Sequence, residues 1–167
     1  MEARRVNVGV VTCSNRSASG ERPDESGDVL CALFEGAGHD VVARTIVPDD
    51  MSTIRAAVRA AIDAGAAAVV TTGGTGLTPT DVTPEAVRPM LDREIPGLAD
   101  AIRIVSREKV PTSVLSRGVA GSIGTTLVVT LPGSPGGVRD GMAVLLPVLQ
   151  HAVDQLGGGD HQVGGGV

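Results

Sequence analysis

Aromatic side chains are almost missing from this chain: Phe34 stands alone among 167 residues, with no Trp or Tyr. Platforms on which nucleobases stack are thereby excluded, and with them the aromatic mode of single-strand nucleic-acid binding. Cations are also in the minority. Fourteen Lys and Arg face 19 Asp and Glu, for a formal net charge of -5. A protein that tracks a phosphate backbone needs a basic face, so nucleic acid is not an expected partner. A small anionic ligand remains open to local cations and backbone amides. Cysteine is scarce too: Cys13 and Cys31 show neither CxxC spacing nor a histidine cluster. Neither a disulfide scaffold nor a zinc site is indicated, and both are expected to be buried thiols. No run reaches the roughly 18 apolar residues of a membrane span. Met1–Arg5 leads into a strand-like segment without a signal-peptide core, so a cytoplasmic protein with no membrane partner is expected.

What is present is an aliphatic, glycine-rich chain, 42% apolar, of a length that fits one globular domain over residues 1–156. Arg5–Thr12 is β-branched and apolar on both faces, as a strand covered on both sides must be. Val29, Leu30, Leu33 and Phe34 then recur at helical spacing. Asp40–Val47 reads as a second strand. Ile54, Ala57, Val58, Ala61 and Ile62 form a helical stripe ended by Gly65, and Ala66–Thr72 is a third strand. This βαβαβ order predicts a parallel sheet with helices on both sides. Thr83-Pro84-Glu85 predicts a helix start, with Thr83 as N-cap, running to about Arg93. A helix opened by Pro96 follows to about Arg107. Val119–Leu131 is expected to split at Gly121 and Gly124 into a short strand and Thr125–Leu131. A last helix covers about Gly137–Leu156, and Gly157–Val167, which holds six of the 23 glycines, is expected to be a flexible tail.

Ligands of parallel sheets bind beyond the carboxyl ends of the strands. Thr12–Arg16, Pro48–Asp50, Thr72–Asp81 and Pro132–Pro135 all fall there and are rich in Gly, Ser, Thr and Asp. Thr71–Pro84 is the most informative of them. Gly73 and Gly74 can take positive φ and let backbone N–H groups approach a phosphate, and a helix N-terminus follows. The segment is neither a Walker A loop nor a dinucleotide fingerprint. On residue chemistry alone it is either a phosphate cradle or a structural turn. Likewise Asp81 or Asp49 can hold a ligand or cap a helix, Asp50 can cap the helix containing Ile54, Arg117 can be a solvated charge, and Ser134 can satisfy a turn.

GGTGLTPTDVTPEA (Gly73–Ala86), LSRGVAG (Leu115–Gly121) and LPGSP (Leu131–Pro135), in this order, resemble the MogA/MoaB family of molybdenum-cofactor biosynthesis over residues 5–156. The resemblance implies a three-layer α/β/α fold with a mostly parallel central sheet. For the MogA branch it implies Mg-dependent transfer of AMP from ATP to the phosphate of molybdopterin, with release of pyrophosphate. It puts the acids that matter for turnover, and with them Mg²⁺, on Asp81 and Asp49. Nucleotide and molybdopterin binding falls on Ser14 and Arg16, on Thr72, Gly73, Gly74, Thr75, Gly76 and Thr83, on Ser116 and Arg117, and on Pro132, Gly133, Ser134 and Pro135. A homotrimer or hexamer, and a molybdenum-insertion protein downstream, are the implied partners. Two positions depart from the family pattern. Asn15 stands where an acid is common, and Gly136 where Lys is common, so a ligand cation must come from elsewhere, with Arg16, Arg117 and Arg139 as candidates.

Two rival readings share these motifs: a non-catalytic molybdopterin-binding or scaffold protein, and a nucleotide pyrophosphohydrolase on a related domain. Removal of Gly157–Val167 is expected to leave the melting temperature almost unchanged, because the segment has few apolar side chains to dock. A thermal melt of the truncated chain checks this.

Overall fold

The computed structural model describes residues 4–159. The strands are β1 (Asn7–Cys13), β2 (Asp40–Val47), β3 (Ala68–Thr72), β4 (Arg93–Glu94), β5 (Ala120–Ile123) and β6 (Thr126–Leu131). The helices are α1 (Asn15–Ala18), α2 (Glu25–Gly36), α3 (Met51–Asp63), α4 (Thr83–Val87), α5 (Pro96–Val105) and α6 (Pro135–Leu156). One six-stranded sheet runs in the order β2-β1-β3-β6-β5-β4. The pairs β1–β2, β1–β3 and β3–β6 are parallel, and β5–β6 and β4–β5 are antiparallel.

Helices cover both faces, which is why the central strands read as unbroken apolar runs. Val8, Val10, Val70, Leu127 and Val129 point to one side and meet Leu30 and Phe34 of α2 and Met142, Leu145 and Leu149 of α6. Val11, Val69 and Val128 point to the other and meet Ile54 and Val58 of α3 and Ala86 and Val87 of α4. The aliphatic composition sets the layer spacing. A Cβ at Gly9 would lie 2.7 Å from the Cβ of Ala61, so α3 rests almost directly on the β1 backbone. Cys13 and Cys31 are free and buried.

Three local expectations need correction. The helix at Thr83 ends at Val87, followed by a 3-10 turn over Arg88–Met90, and Arg93–Glu94 is an edge strand. Pro89 explains the stop, since it has no N–H to donate and its ring conflicts with a continuing α-helix. Gly121 does not divide the segment around it but lies inside β5, where a Cβ would strike the carbonyl of Arg93 on β4. The turn falls at Gly124 alone, with φ of 57°. Thr83 occupies the first helical position, not the N-cap, for a reason described below. The flexible-tail expectation lies outside the described residues from 160 onward. Gly157, Gly158 and Gly159 form a turn whose N–H groups donate to Val153, Gln155 and Asp154 carbonyls.

Buried His39 sits edge-on to Phe34, and its Nδ1 accepts the Val6 N–H at 3.3 Å. That bond needs a neutral imidazole, and burial lowers the His39 pKa from 6.5, opposed by nearby Asp40. The unfolded chain therefore binds this proton more readily, and the stability contributed is complete above the unfolded value and lost as pH falls through the folded one. The drop in melting temperature between about pH 7.5 and about pH 5.5 should be smaller in His39→Gln than in the parent chain.

Candidate functional site

Because β1, β2, β3 and β6 are parallel, the loops that leave their carboxyl ends share one edge of the sheet. They surround a cavity of about 1100 Å³. Ser14, Asp49, Thr72, Gly73, Gly74, Thr75, Gly76, Asp81, Ser116 and Pro132, Gly133, Ser134 and Pro135 all line it. Arg16, Thr83 and Arg117 do not line it.

The glycine loop is fixed from beneath. Gly73 and Gly74 have φ of 97° and 68°, a region that side chains with a Cβ rarely enter. A Cβ at Gly73 would strike the Cys13 carbonyl, and one at Gly74 the Thr83 hydroxyl. The Gly73 N–H donates to Leu131 O at 3.0 Å, which ties the loop to the end of β6. Thr83 closes it from the other side: its hydroxyl donates to Gly73 O at 2.9 Å and its N–H to Gly74 O at 3.1 Å. That engagement is why the Thr83 side chain does not cap α4; Val82 is the N-cap, without a side-chain bond. Among the described residues, the N–H groups of Gly74, Thr75 and Gly76 have no hydrogen-bond acceptor.

The neighbouring acids Asp49 and Asp50 take different roles. Asp50 caps α3, accepting from the N–H and hydroxyl of Thr53 and the hydroxyl of Ser52, bonds that hold its carboxyl down at about 2. Asp49 caps nothing. Its Oδ2 accepts the Asn15 N–H at 3.1 Å while its own N–H donates to Asn15 Oδ1 at 2.8 Å, so the side chain at position 15 fixes the acid instead of supplying a second one. Asp49 Oδ1 is buried without a partner, 3.5 Å from where a Cβ of Gly74 would be. Burial raises the Asp49 pKa, the Asn15 bond opposes this, and the charge of Asp81 raises it further. Asp81 does not cap α4 either. Its Oδ2 accepts from the N–H and hydroxyl of Thr78 at 2.9 and 2.8 Å and lies against Gly76, where a Cβ would be 2.8 Å away.

The cations are arranged differently from expectation. Arg16 is exposed outside the cavity. Arg117 is engaged by the protein itself: Nε donates to Gly76 O, Nη2 to Asp81 O, and Nη1 to Glu85. Of the three candidates only Arg139 lines the cavity, joined there by Arg22, Arg103 and Lys109. Sequence reasoning passed over those three, because Arg22 and Lys109 fall in connecting segments without a motif and Arg103 in a helix read only for its apolar face. Ser134 N-caps α6, with Oγ accepting the Gly137 N–H at 3.0 Å, so its turn-satisfying role is realised. Cys13 lies under the loop with burial pushing its thiol up to about 12, which removes it as a nucleophile at neutral pH.

Comparison with known proteins identifies the family and the fold. Residues 9–151 match the family described as "Probable molybdopterin binding domain". The chain is 41% identical over 157 residues to molybdenum cofactor biosynthesis protein B of Bacillus cereus, covering 92% of each. It is 39% identical over 152 residues to the molybdenum cofactor biosynthesis bifunctional protein of Chlorobaculum tepidum, with 91% of this chain matched. There it spans about half of the relative's length, 49%. The crystal structure of the molybdopterin biosynthesis enzyme MoaB of Thermus thermophilus superposes with a TM-score of 0.86 at 44% identity, over 92% of this chain and 97% of that one. On these grounds, and on its three-layer α/β/α architecture, the chain belongs to the family of probable molybdopterin binding domains.

Proposed function

We propose that this chain acts in molybdenum cofactor biosynthesis by transferring AMP from ATP to the phosphate of molybdopterin, releasing pyrophosphate. The observation that carries this reading is the row of unpaired N–H groups at Gly74, Thr75 and Gly76 beside two carboxylates, Asp49 and Asp81, in a cavity large enough for two substrates. Amides of that kind bind phosphate oxygens, and two acids beside phosphates are favourable only with a cation between them.

The donor set fits Mg²⁺. No group of three or more His, Cys, Asp or Glu suited to a metal occurs among the described residues, so a protein-built cage is excluded there. Mg²⁺ needs only one or two carboxylates when substrate phosphates and water complete its shell. The unpartnered Oδ1 of Asp49 offers such a ligand, with Asp81 the second acid of the cleft. Bound there, Mg²⁺ would neutralise charge on the triphosphate.

The attacking group in this reaction is a phosphate monoester with a second pKa of about 6, already largely dianionic at neutral pH. No general base is needed. The molybdopterin phosphate oxygen forms a bond to the α-phosphorus as the α–β bond breaks, so the protein's task is alignment and charge neutralisation. Amides 74–76 hold the phosphates, Asp49 and Asp81 orient the reacting end, and Arg22, Lys109 and Arg139 supply positive charge around the cavity. The family resemblance supports a cytoplasmic homotrimer that hands its product to a molybdenum-insertion protein. Sedimentation should then give about three times the 16.8 kDa chain mass.

Incubation with Mg-ATP and molybdopterin, and separately with ADP-ribose, tests the reading. Adenylyl-molybdopterin and pyrophosphate are the expected products. Molybdopterin binding without ATP turnover identifies a scaffold, and ADP-ribose cleavage a pyrophosphohydrolase. Asp81→Asn should keep the melting temperature and cut AMP transfer about 100-fold or more, the pattern of an interaction strongest in the transition state. Near-normal turnover at saturating Mg²⁺ would remove Asp81 from the reaction.

A further inference from the structure

We propose that Arg117 is a positioning residue that holds Asp81 over the glycine cradle by closing the loop between Gly76 and Asp81. The proposal deepens the reading of Asp81 given above and rests on it for the kinetic consequence, but its structural core stands independently.

Leu77, Thr78, Pro79 and Thr80 are exposed. Inside this segment the Asp81 N–H donates to Thr78 O at 3.0 Å, and the Asp81 carboxylate folds back onto Thr78. Those bonds give the loop its shape but leave it loose as a unit. Among the described residues, Arg117 makes the only hydrogen bonds that tie the backbone of 76–81 to the rest of the chain. Its Nε takes Gly76 O and its Nη2 takes Asp81 O, both at 2.8 Å, so one rigid guanidinium plane bridges the two ends. The Arg117 N–H donates to Thr75 O at 2.8 Å and the Ser116 hydroxyl pairs with that of Thr75 at 3.3 Å, which places the guanidinium in register with the loop.

Charge balance argues against the alternative, a guanidinium that binds a ligand anion. Glu85 of α4 accepts from both Nη1 and Nη2, and Arg117 in turn draws the Glu85 pKa below its usual value. Glu85 is held in place from the opposite side by Arg55 of α3, which donates to the Glu85 and Ala86 carbonyls at 3.1 and 2.9 Å. The positive charge is thus matched, and the side chain does not line the cavity. Lysine is a poor substitute, since a point ammonium lacks the planar fork that reaches two carbonyls and a carboxylate at once.

The test is amide hydrogen exchange in the ligand-free protein together with steady-state kinetics, on Arg117→Ala, Arg117→Lys and Glu85→Gln. In Arg117→Ala, exchange at Thr78 and Asp81, the loop amides that have hydrogen-bond acceptors, should rise about tenfold while β3 and α6 are unchanged, the signature of local rather than global opening. Arg117→Lys, which keeps the aliphatic stem and the charge, should show the same local rise and serves as the reporter if the alanine variant folds poorly. Glu85→Gln leaves both carbonyl bonds and should rise less. AMP transfer by the lysine variant should lose about 100-fold in kcat, as a displaced group does, with KM for Mg-ATP within about threefold. Unchanged exchange at Thr78 and Asp81, or a raised KM at unchanged kcat, overturns the proposal. Exchange that rises as expected in a protein without transferase activity upholds the clamp and refutes the reaction instead.

Discussion

The parallel register of the central strands is the constraint on which the rest depends. Thr12 pairs with Thr72, and Thr72 with Leu131, so three strands end in one row; Cys13 pairs with Val47 one position further on. The chain extends that row into the loops, with the Ser14 N–H on Val47 O and the Gly73 N–H on Leu131 O. A shift of one residue in any of these strands would reverse the two core faces and carry its loop away from the others. Because both faces are apolar, it is close packing rather than polarity that forbids such a shift, as where a Cβ at Gly9 would lie 2.7 Å from the Cβ of Ala61.

From that fixed row follows the unusual electrostatics of an acidic protein with an anion-suited cleft. The anion binding proposed for this cleft does not need a basic surface, because unpaired amides present fixed partial positive charge at short range. The adjacent acids Asp49 and Asp50 show how local partners decide. Asp50 is exposed and bound by Ser52 and Thr53, so it stays ionised as a cap. Asp49 is drawn into the cleft by Asn15, is partly desolvated and faces Asp81, so its charge is costly until a cation shares it.

Much of the fold was legible because its signals are local. Apolar runs marked the doubly covered strands, the stripe from Ile54 to Ile62 marked α3, and Gly65, with φ of 92°, ended that helix as its pattern implied. The glycine loop was legible for the same reason, as a run of small residues with positive φ. What escaped depended on partners distant in sequence. The edge strand β4 has two residues and exists only through β5, and Gly121 reads as a breaker until the Arg93 carbonyl is seen against it. The Thr83 hydroxyl is drawn from the N-cap role by a carbonyl ten residues earlier. Arg117 reads as a surface or ligand cation because nothing near it in sequence shows that Gly76, Asp81 and Glu85 surround it.

The glycines at 73 and 74 deserve a different explanation from the one that motif reasoning supplies. Their missing side chains do not primarily clear space for a phosphate; they let the loop descend onto Cys13 and Thr83, where any Cβ collides with the protein itself. The descent turns the N–H groups of Gly74, Thr75 and Gly76 away from every acceptor in the described chain. The phosphate affinity proposed for this loop would then be a consequence of backbone frustration created by packing, since unpaired donors favour any anion that satisfies them. The same packing brings Thr83, and with it the start of α4 and Glu85, to a fixed place beneath the loop. Glue between cradle and acid is therefore internal to the fold: Thr83 holds the floor, Arg117 holds the rim, and Asp81 is suspended between them with its carboxylate against Gly76.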